Sequence, residues 1–140
     1  MVVLEILPSY GYCLLVAVAS AFTTTWMAMQ VGGARKKFGV KYPTMYSADN
    51  DNFNCYQRAH QNTLEAFPLF LAMLLVGGLH SPCFSAAMGA VWCVSRVLYA
   101  KGYYTGDPEK RVPGAIGSFI SLFALYYGPI RLAGQLLGWF

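Results

Sequence analysis

Three long stretches of the chain contain no charged side chain, and this feature constrains the fold more than any other. No Asp, Glu, Lys or Arg occurs from Ile6 to Ala34, from Ala66 to Ser95, or from Val112 to Ile130. A helix needs roughly 20 apolar residues to cross a bilayer, so the first and third stretches predict one membrane-spanning helix each. Only 11% of the 140 residues are charged, against about a quarter in soluble domains. The chain is therefore predicted to be an integral membrane protein.

The middle stretch is long enough for two helices, and the segment GGLHSPC at residues 77–83 divides it. Clustered glycine, serine and proline favour a turn there. The second half becomes a full span only if Arg96 and Lys101 lie within the helix. Residues 39–54 are rich in Gly, Pro, Asn and Asp and are predicted to form a loop. The sequence thus predicts an all-α bundle of four transmembrane helices in a single domain, residues 1–140, with helices near 8–33, 58–79, 83–104 and 112–137.

The distribution of basic residues predicts the orientation of these helices, because loops rich in lysine and arginine remain in the cytosol. The second loop, residues 80–82, contains neither residue type. The first and third loop regions contain most of them, namely Arg35, Lys36, Lys37, Lys41, Lys101, Lys110 and Arg111. We therefore expect a multi-pass protein with these loops in the cytosol and both termini on the luminal side. The aromatic pair Trp139-Phe140 is predicted to lie at a membrane–water interface.

The strongest candidate for a functional site is a polar stripe at the start of the second predicted helix. Arg58, Asn62 and Glu65 are spaced i, i+4 and i+7 and therefore project from one face. A second stripe near the end of the third helix, spaced i, i+3 and i+7, consists of Arg96, Tyr99 and Tyr103. By the predicted orientation, both stripes lie toward the cytosol, together with Arg35 and Arg111. Ionisable groups at membrane depth are costly, so they normally face a cavity or a partner.

These side chains carry an excess of positive charge, since four arginines accompany one glutamate. A guanidinium group binds a carboxylate through two parallel hydrogen bonds, so the expected ligand is a small anion with carboxylates. A glutamate among the arginines would also hold an ammonium group. Glutathione, which has two carboxylates and one amine, fits this description. Two other interpretations remain open: Arg58 and Glu65 form a structural ion pair, or the stripes line a pathway for ions or solutes.

Longer motifs in the same regions resemble a known family. The segment RAHQNTLEAFPLF at residues 58–70, with ARKKF before it and RVLYAKGYYTG and then KR after it, is similar to the MAPEG family, the membrane-associated proteins of eicosanoid and glutathione metabolism. The resemblance extends over nearly the whole chain and is strongest to microsomal glutathione S-transferase type three. It implies four-helix subunits that assemble as homotrimers and bind glutathione between neighbouring subunits near the cytosolic side.

The resemblance also implies roles for individual residues. By resemblance, the predicted glutathione contacts are Arg35, Arg58, Asn62, Glu65, Tyr99 and Tyr103. Arg96 and His60 are further candidates for contact; the alternatives are that Arg96 snorkels or braces the trimer and that His60 is a packing residue. Arg111 corresponds to the arginine that stabilises the glutathione thiolate. The connection after the second tyrosine is one residue longer than in the leukotriene C4 synthase-like members, so Lys110 is an alternative for that role. Lys36 and Ala66 stand where those members have arginine and tyrosine, and His60 stands where they have glutamine.

The activity implied by the resemblance is that of a glutathione transferase and peroxidase. Glutathione thiolate would conjugate lipid electrophiles, such as leukotriene A4-like epoxides, or reduce lipid hydroperoxides taken from the bilayer. The alternative is a non-catalytic, lipid-presenting scaffold similar to five-lipoxygenase-activating protein, although that relative has threonine at the position of Arg58. We expect the endoplasmic reticulum membrane as the location, with the outer mitochondrial membrane as an alternative. We expect no nucleic-acid partner and no metal, because the four cysteines form no CxxC pattern.

Overall fold

The computed structural model of the protein describes residues 5–139, which form helices joined by short connections. The helices are α1 (Tyr10–Phe38), α2 (Asp51–His80), α3 (Pro82–Tyr103), α4 (Val112–Leu125) and α5 (Tyr127–Leu137), with a 3₁₀ turn at Pro108–Arg111 before α4. Four segments are long and apolar enough to cross a membrane, the last formed by the 3₁₀ turn, α4 and α5 together. This confirms the predicted all-helical chain with four candidate spans. Phe140 of the predicted interfacial pair lies outside the described residues.

The first helix ends later than predicted. It continues through the glycine pair at residues 32–33 to Phe38 and is capped by Gly39, whose φ of 69° is left-handed and whose N–H donates to the carbonyl of Arg35. Glycine is favoured at this position because a side chain would strain the left-handed conformation. The basic side chains of the last turn, Lys36 and Lys37 among them, interact favourably with the negative end of the helix dipole. These two effects extend the helix to Phe38.

The second helix begins at Asp51, inside the segment that was predicted to be a loop. The side chain of Asn50 caps it, accepting a hydrogen bond of 2.9 Å from the backbone N–H of Phe53. Asparagine is among the preferred capping residues, and an aspartate in the first turn complements the helix dipole. The Asn and Asp residues interpreted as loop formers therefore start the helix. The loop covers only residues 39–50, and α2 gains about two turns before Arg58.

The fourth span is interrupted, as its Gly-Pro pair predicts. α4 ends at Leu125 and α5 begins at Tyr127. Pro129 has no N–H, and its ring conflicts with the carbonyl four residues earlier, that of Leu125, which disfavours a continuous helix across this point. α5 packs closely on α2 at this point, because a Cβ on Gly128 would lie only 2.5 Å from the Cα of Gly77.

Successive spans run antiparallel, so the connections between them lie at two ends of the bundle. The loop at residues 39–50 and the α3–α4 connection share one end, which we call the polar end. Ser81, which joins α2 to α3, lies at the opposite end, which we call the apolar end. Near the polar end α4 packs tightly on α3, where a Cβ on Gly114 would lie 2.6 Å from the carbonyl oxygen of Ser95. This close contact sets α4 beside the tyrosine-bearing face of α3.

Candidate functional site

Polar side chains from three helical segments surround a cleft at the polar end. The cleft has a volume of about 420 Å³ and lies between α2, α3 and the start of the fourth span. Six of the predicted site residues line it: Arg58, Asn62, Arg96, Tyr99, Tyr103 and Arg111. The two polar stripes, which are distant in sequence, therefore form facing walls of one site.

Arg58 and Glu65 lie on the same face of α2 and form a two-point ion pair. The distances are 3.0 Å from Nη1 to Oε1 and 3.3 Å from Nη2 to Oε2. Both side chains are close to half exposed, at 42% and 48%. Exposed ion pairs typically contribute only about 0.2–1 kcal/mol to stability. The pair therefore orients the two groups and leaves both accessible to a ligand.

Arg96 is the most deeply buried charged group in the cleft, with 8% of its surface exposed. Its Nη1 donates to Oδ1 of Asn62 at 2.8 Å. Its guanidinium carbon lies 5.1 Å from the ring centre of Tyr99 and 5.2 Å from that of Trp92. Among the described residues, its Nε has no hydrogen-bond partner and no carboxylate pairs with it. A buried, unpartnered N–H is costly, and a bound anion would satisfy it.

Arg111 is the last residue of the 3₁₀ turn, and its guanidinium carbon lies 5.3 Å from the ring centre of Tyr103. Its Nη1 donates to the carbonyl of Pro108 at 2.7 Å, which fixes the side chain against its own turn. The neighbouring Lys110 is exposed and does not line the cleft. Gly102 lets the turn approach α3, because a Cβ there would collide with the Lys110 carbonyl. The geometry favours Arg111 over Lys110 as the cation beside a ligand.

Two adjacent tyrosines at the end of α3 have different surroundings. Tyr103 lines the cleft and meets Tyr99 edge to face, with ring centres 5.2 Å apart. Tyr104 stacks on Tyr56 of α2, with ring centres 4.2 Å apart. Burial raises the pKa of the Tyr104 hydroxyl above its ordinary value, so this phenol stays neutral. Tyr104 therefore holds α2 and α3 together while Tyr103 faces the site.

Three predicted contacts, Glu65, Arg35 and His60, do not line the cleft. Glu65 is paired with Arg58, which does line it. The guanidinium carbon of Arg35 lies 4.3 Å from the ring centre of Tyr42 and 5.1 Å from that of Phe53. Its Nη1 is buried without a hydrogen-bond partner in the part of the chain that the structure describes. His60 follows Arg58 by two positions and so projects about 200° around α2, from another face. Neither Arg35 nor His60 therefore joins the cleft of this chain.

The sequence analysis missed one wall of the cleft. Ala115, Ser118, Phe119 and Leu122 on α4 complete the lining. They follow Arg111 at helical spacing and therefore continue its face. That periodicity is present in the sequence, but these residues are uncharged and lie in an apolar span, so they resemble ordinary membrane-facing positions. The wall they form makes the cleft polar on one side and largely apolar on the other.

The lining suits an anion better than a metal ion. The residues around the cleft include no carboxylate, thiol or imidazole, which are the usual protein ligands of zinc, calcium and related ions. Within residues 5–139, no group of three or more His, Cys, Asp or Glu side chains is arranged to hold a metal. The polar groups present are mainly N–H and O–H donors, which suit carboxylate or thiolate acceptors.

Fold and site together define a class of protein: a four-span helical membrane protein with an arginine-lined cleft beside an apolar wall. The chain belongs to the MAPEG family, whose family model matches residues 13–131. This match confirms the family membership that the motifs on α2 and α3 indicate.

Individual relatives support the assignment. Microsomal glutathione S-transferase 2 of Bos taurus is 35% identical over 99 residues, which cover 70% of this chain and 66% of that protein. Leukotriene C4 synthase of Bos taurus is 32% identical over 123 residues, with 81% of each chain covered. An uncharacterised protein of Synechocystis is 34% identical over 111 residues, covering 79% of this chain and 80% of its own length. The narrower likeness to type three stays a prediction.

Proposed function

We propose that the protein is a membrane-bound glutathione transferase with glutathione-dependent peroxidase activity. Its substrates are lipid electrophiles, including leukotriene A4-like epoxides, and lipid hydroperoxides. The observation that carries the proposal is the convergence of Arg58, Arg96 and Arg111 in one cleft whose other wall is apolar. The names of two relatives, microsomal glutathione S-transferase 2 and leukotriene C4 synthase, support the same chemistry.

The charges around the cleft suit glutathione, which has two carboxylates and one ammonium group. Arg58 and Arg96 bind the carboxylates through charge-assisted hydrogen bonds, and the unpartnered Nε of Arg96 supports this role. Glu65, already oriented by Arg58, binds the ammonium group. Asn62 is held by Arg96 and directs its amide N–H groups toward the same ligand. The tyrosine hydroxyls, chiefly that of Tyr103, add further donors.

Arg111 activates the thiol. A free thiol has a pKa of about 8.5, and a neighbouring cation lowers it, so bound glutathione becomes a thiolate near neutral pH. The thiolate sulfur attacks an epoxide carbon, the carbon–oxygen bond opens, and the alkoxide takes up a proton. With a hydroperoxide, the sulfur attacks the outer oxygen, the oxygen–oxygen bond breaks, and the lipid leaves as an alcohol. The apolar wall that includes Phe119 and Leu122 holds the lipid chain beside the sulfur.

Arg35 and His60 take part only if another subunit presents them, because neither lines the cleft of its own chain. The homotrimer predicted from the family resemblance would supply such a neighbour, so we retain both as contacts across a subunit seam. The buried, unpartnered Nη1 of Arg35 is consistent with this role. We further propose that the protein resides in the endoplasmic reticulum membrane, or alternatively the outer mitochondrial membrane, with the site toward the cytosol and the termini luminal.

A direct test is turnover by the purified protein in lipid nanodiscs with glutathione and either a lipid epoxide or a lipid hydroperoxide. Mass spectrometry should detect the conjugate in the first case, and the lipid alcohol with oxidised glutathione in the second. A glutathione titration should accompany it, comparing the wild type with Arg58→Thr. Threonine removes a charge-assisted, two-point contact, so we expect the dissociation constant to rise about tenfold or more.

The scaffold alternative makes the opposite prediction. A lipid-presenting protein would bind fatty acids or related lipids, show no glutathione affinity, and behave the same with arginine or threonine at position 58. Lipid binding without any turnover or glutathione binding would therefore overturn the proposed enzyme and support the scaffold.

A further inference from the structure

A second cavity lies next to the candidate active site, between the first turns of α2 and the α3–α4 connection. Its volume is about 350 Å³, and its lining includes Asp51, Asn54, Cys55 and Gly106. Arg58 and Tyr103 line both cavities. The two spaces are therefore neighbours that share two side chains of the polar end.

The same face of α2 serves both cavities. Asp51, Cys55, Arg58 and Asn62 are spaced i, i+4, i+7 and i+11, so they form one continuous stripe along the helix. The stripe exists because α2 begins at Asp51, with Asn50 as its cap. If the helix began near residue 58, the second cavity would have no wall on this side.

The lining of the second cavity combines opposite charges. Asp51 provides a carboxylate, and Arg58, whose Nη atoms also pair with Glu65, provides a guanidinium. The walls near Cys55 and Pro108 are mostly apolar. The Asn54 side chain is already used, because it exchanges two hydrogen bonds of 2.8 Å with the backbone of Ser47. One cation and one anion on a small cavity match a zwitterion that carries both an ammonium and a carboxylate group.

Hydroperoxide reduction needs a second thiol, whereas conjugation needs only one. In the first step a glutathione sulfur bonds to the outer peroxide oxygen, the oxygen–oxygen bond breaks, and the lipid alkoxide takes a proton. Glutathione is left as a sulfenic acid. In the second step another thiolate attacks that sulfur, the sulfur–sulfur bond forms, and the hydroxide leaves with a proton as water. The sum is one hydroperoxide and two glutathiones to one alcohol, one water and oxidised glutathione.

We propose that the second cavity receives this second glutathione, with its zwitterionic end between Asp51 and Arg58. The sulfenic acid formed in the first cleft is then reduced across the shared Arg58–Tyr103 boundary before it can leave. This inference rests on the proposed peroxidase function and assigns a site to its second substrate molecule. It predicts that changes confined to the second cavity affect peroxide reduction and spare conjugation.

The test compares the full-length wild type in nanodiscs with Asp51→Asn and Asp51→Lys. Loss of one partially exposed charge contact should raise the KM for glutathione in hydroperoxide reduction roughly fivefold in Asp51→Asn, and charge reversal should raise it further. The kcat/KM for conjugation should stay within about twofold of the wild type, because Asp51 does not line the first cleft. Dimedone, which traps sulfenic acids, should yield more glutathione adduct with the Asp51 variants than with the wild type.

Asp49→Asn is the matched control, since it removes the same charge from the neighbouring loop and does not line the cavity. It should leave both reactions unchanged. Equal effects of the Asp51 variants on the two reactions, or no effect on either, would overturn the second site. If the Cys55→Ser variant no longer formed oxidised glutathione, the second site would also be overturned. The second thiol would then be that of Cys55 rather than that of a second glutathione. By contrast, a wild type that neither conjugates nor reduces would refute the proposed function itself.

Discussion

The two ends of the bundle are built from the same helices but use their interior differently. Toward the apolar end, α2 and α5 touch backbone to backbone at Gly77 and Gly128, and Phe70 stacks on Trp92 with ring centres 3.8 Å apart. The depressions there have apolar and aromatic linings. At the polar end, by contrast, the helices leave two cavities that are lined by charged side chains.

This difference assigns the two ends different roles: the apolar end stabilises the fold, and the polar end provides open, polar space suited to a ligand. Tight packing needs every interior volume filled, whereas a binding site needs interior volume left open and polar groups left partly unsatisfied. Arg96 illustrates the second case, because its guanidinium is buried and its Nε has no partner among the described residues. Changes at the polar end should therefore alter chemistry with little effect on folding, and changes at the apolar end should do the reverse.

The largest effect expected from this comparison is at Arg111. Arg111→Ala removes the cation nearest the proposed thiolate, and loss of one such electrostatic contact typically lowers kcat by about 10²–10³-fold. The pKa of bound glutathione should rise toward that of the free thiol, about 8.5, so part of the lost rate should return as the pH approaches that value. Steady-state kinetics of conjugation between pH 6.5 and pH 9 would measure both effects.

Lys110→Ala is the control for Arg111. Lys110 is exposed and does not line the cleft, so its removal should leave the rate and its pH profile unchanged. Wild-type activity in Arg111→Ala combined with a large loss in Lys110→Ala would reverse the assignment of the thiol-activating residue.

The next largest expected effect is a loss of stability from a substitution at the apolar end. A Cβ added by Gly128→Ala would lie 2.5 Å from the Cα of Gly77 and 2.6 Å from its carbonyl oxygen. Backbone atoms cannot move aside easily, so we expect a loss of about 1–3 kcal/mol in the free energy of unfolding. Thermal unfolding in detergent should show a lower Tm, while kcat measured well below that temperature should stay unchanged. Gly32→Ala is the control, because a Cβ there meets nothing within 4 Å in the subunit.

Much of the fold could be predicted from the sequence because lipid imposes a simple rule on side chains. The charge-free stretches and the turn at residues 77–83 led to four helical spans, and the Gly-Pro pair led to the break before α5. Helix ends were harder to predict. Asn50 and Asp51 favour both loops and helix starts, and only the capping bond to Phe53 distinguishes the two.

The candidate site could be predicted in part, for a similar reason. Charged residues in an apolar span are conspicuous, so Arg58 and Arg96 were identified from spacing alone. Phe119 and its neighbours on α4 were not, because an apolar residue facing a cleft and one facing lipid have the same sequence signature. His60 was included as a further candidate, although it lies on another face of α2 from Arg58.

A smaller effect distinguishes a ligand contact from a structural ion pair at Glu65. Glu65→Gln keeps the shape and one acceptor toward Arg58 but removes the negative charge. If Glu65 binds the glutathione ammonium group, the dissociation constant for glutathione should rise about tenfold. A glutathione analogue that lacks the amino group should bind the two proteins almost equally. A lower Tm with unchanged glutathione affinity would instead support the purely structural pair.

The smallest expected effect is at the apolar wall of the cleft, where the open polar end of the bundle meets its tightly packed apolar part. Phe119 lines the cleft and is 62% exposed in the subunit, so truncation removes contacts with a bound lipid and leaves little internal packing to lose. Phe119→Ala should raise the KM for a long-chain hydroperoxide about threefold to tenfold, the range expected for a partial apolar contact. The KM for a small water-soluble electrophile should not change. Phe123→Ala is the matched control, because the Phe123 ring contacts that of Phe119 in a tilted arrangement, with ring centres 4.5 Å apart, but does not line the cleft. Equal effects of the two variants would mean that lipid reaches the sulfur along the outer face of α4 rather than through the cleft.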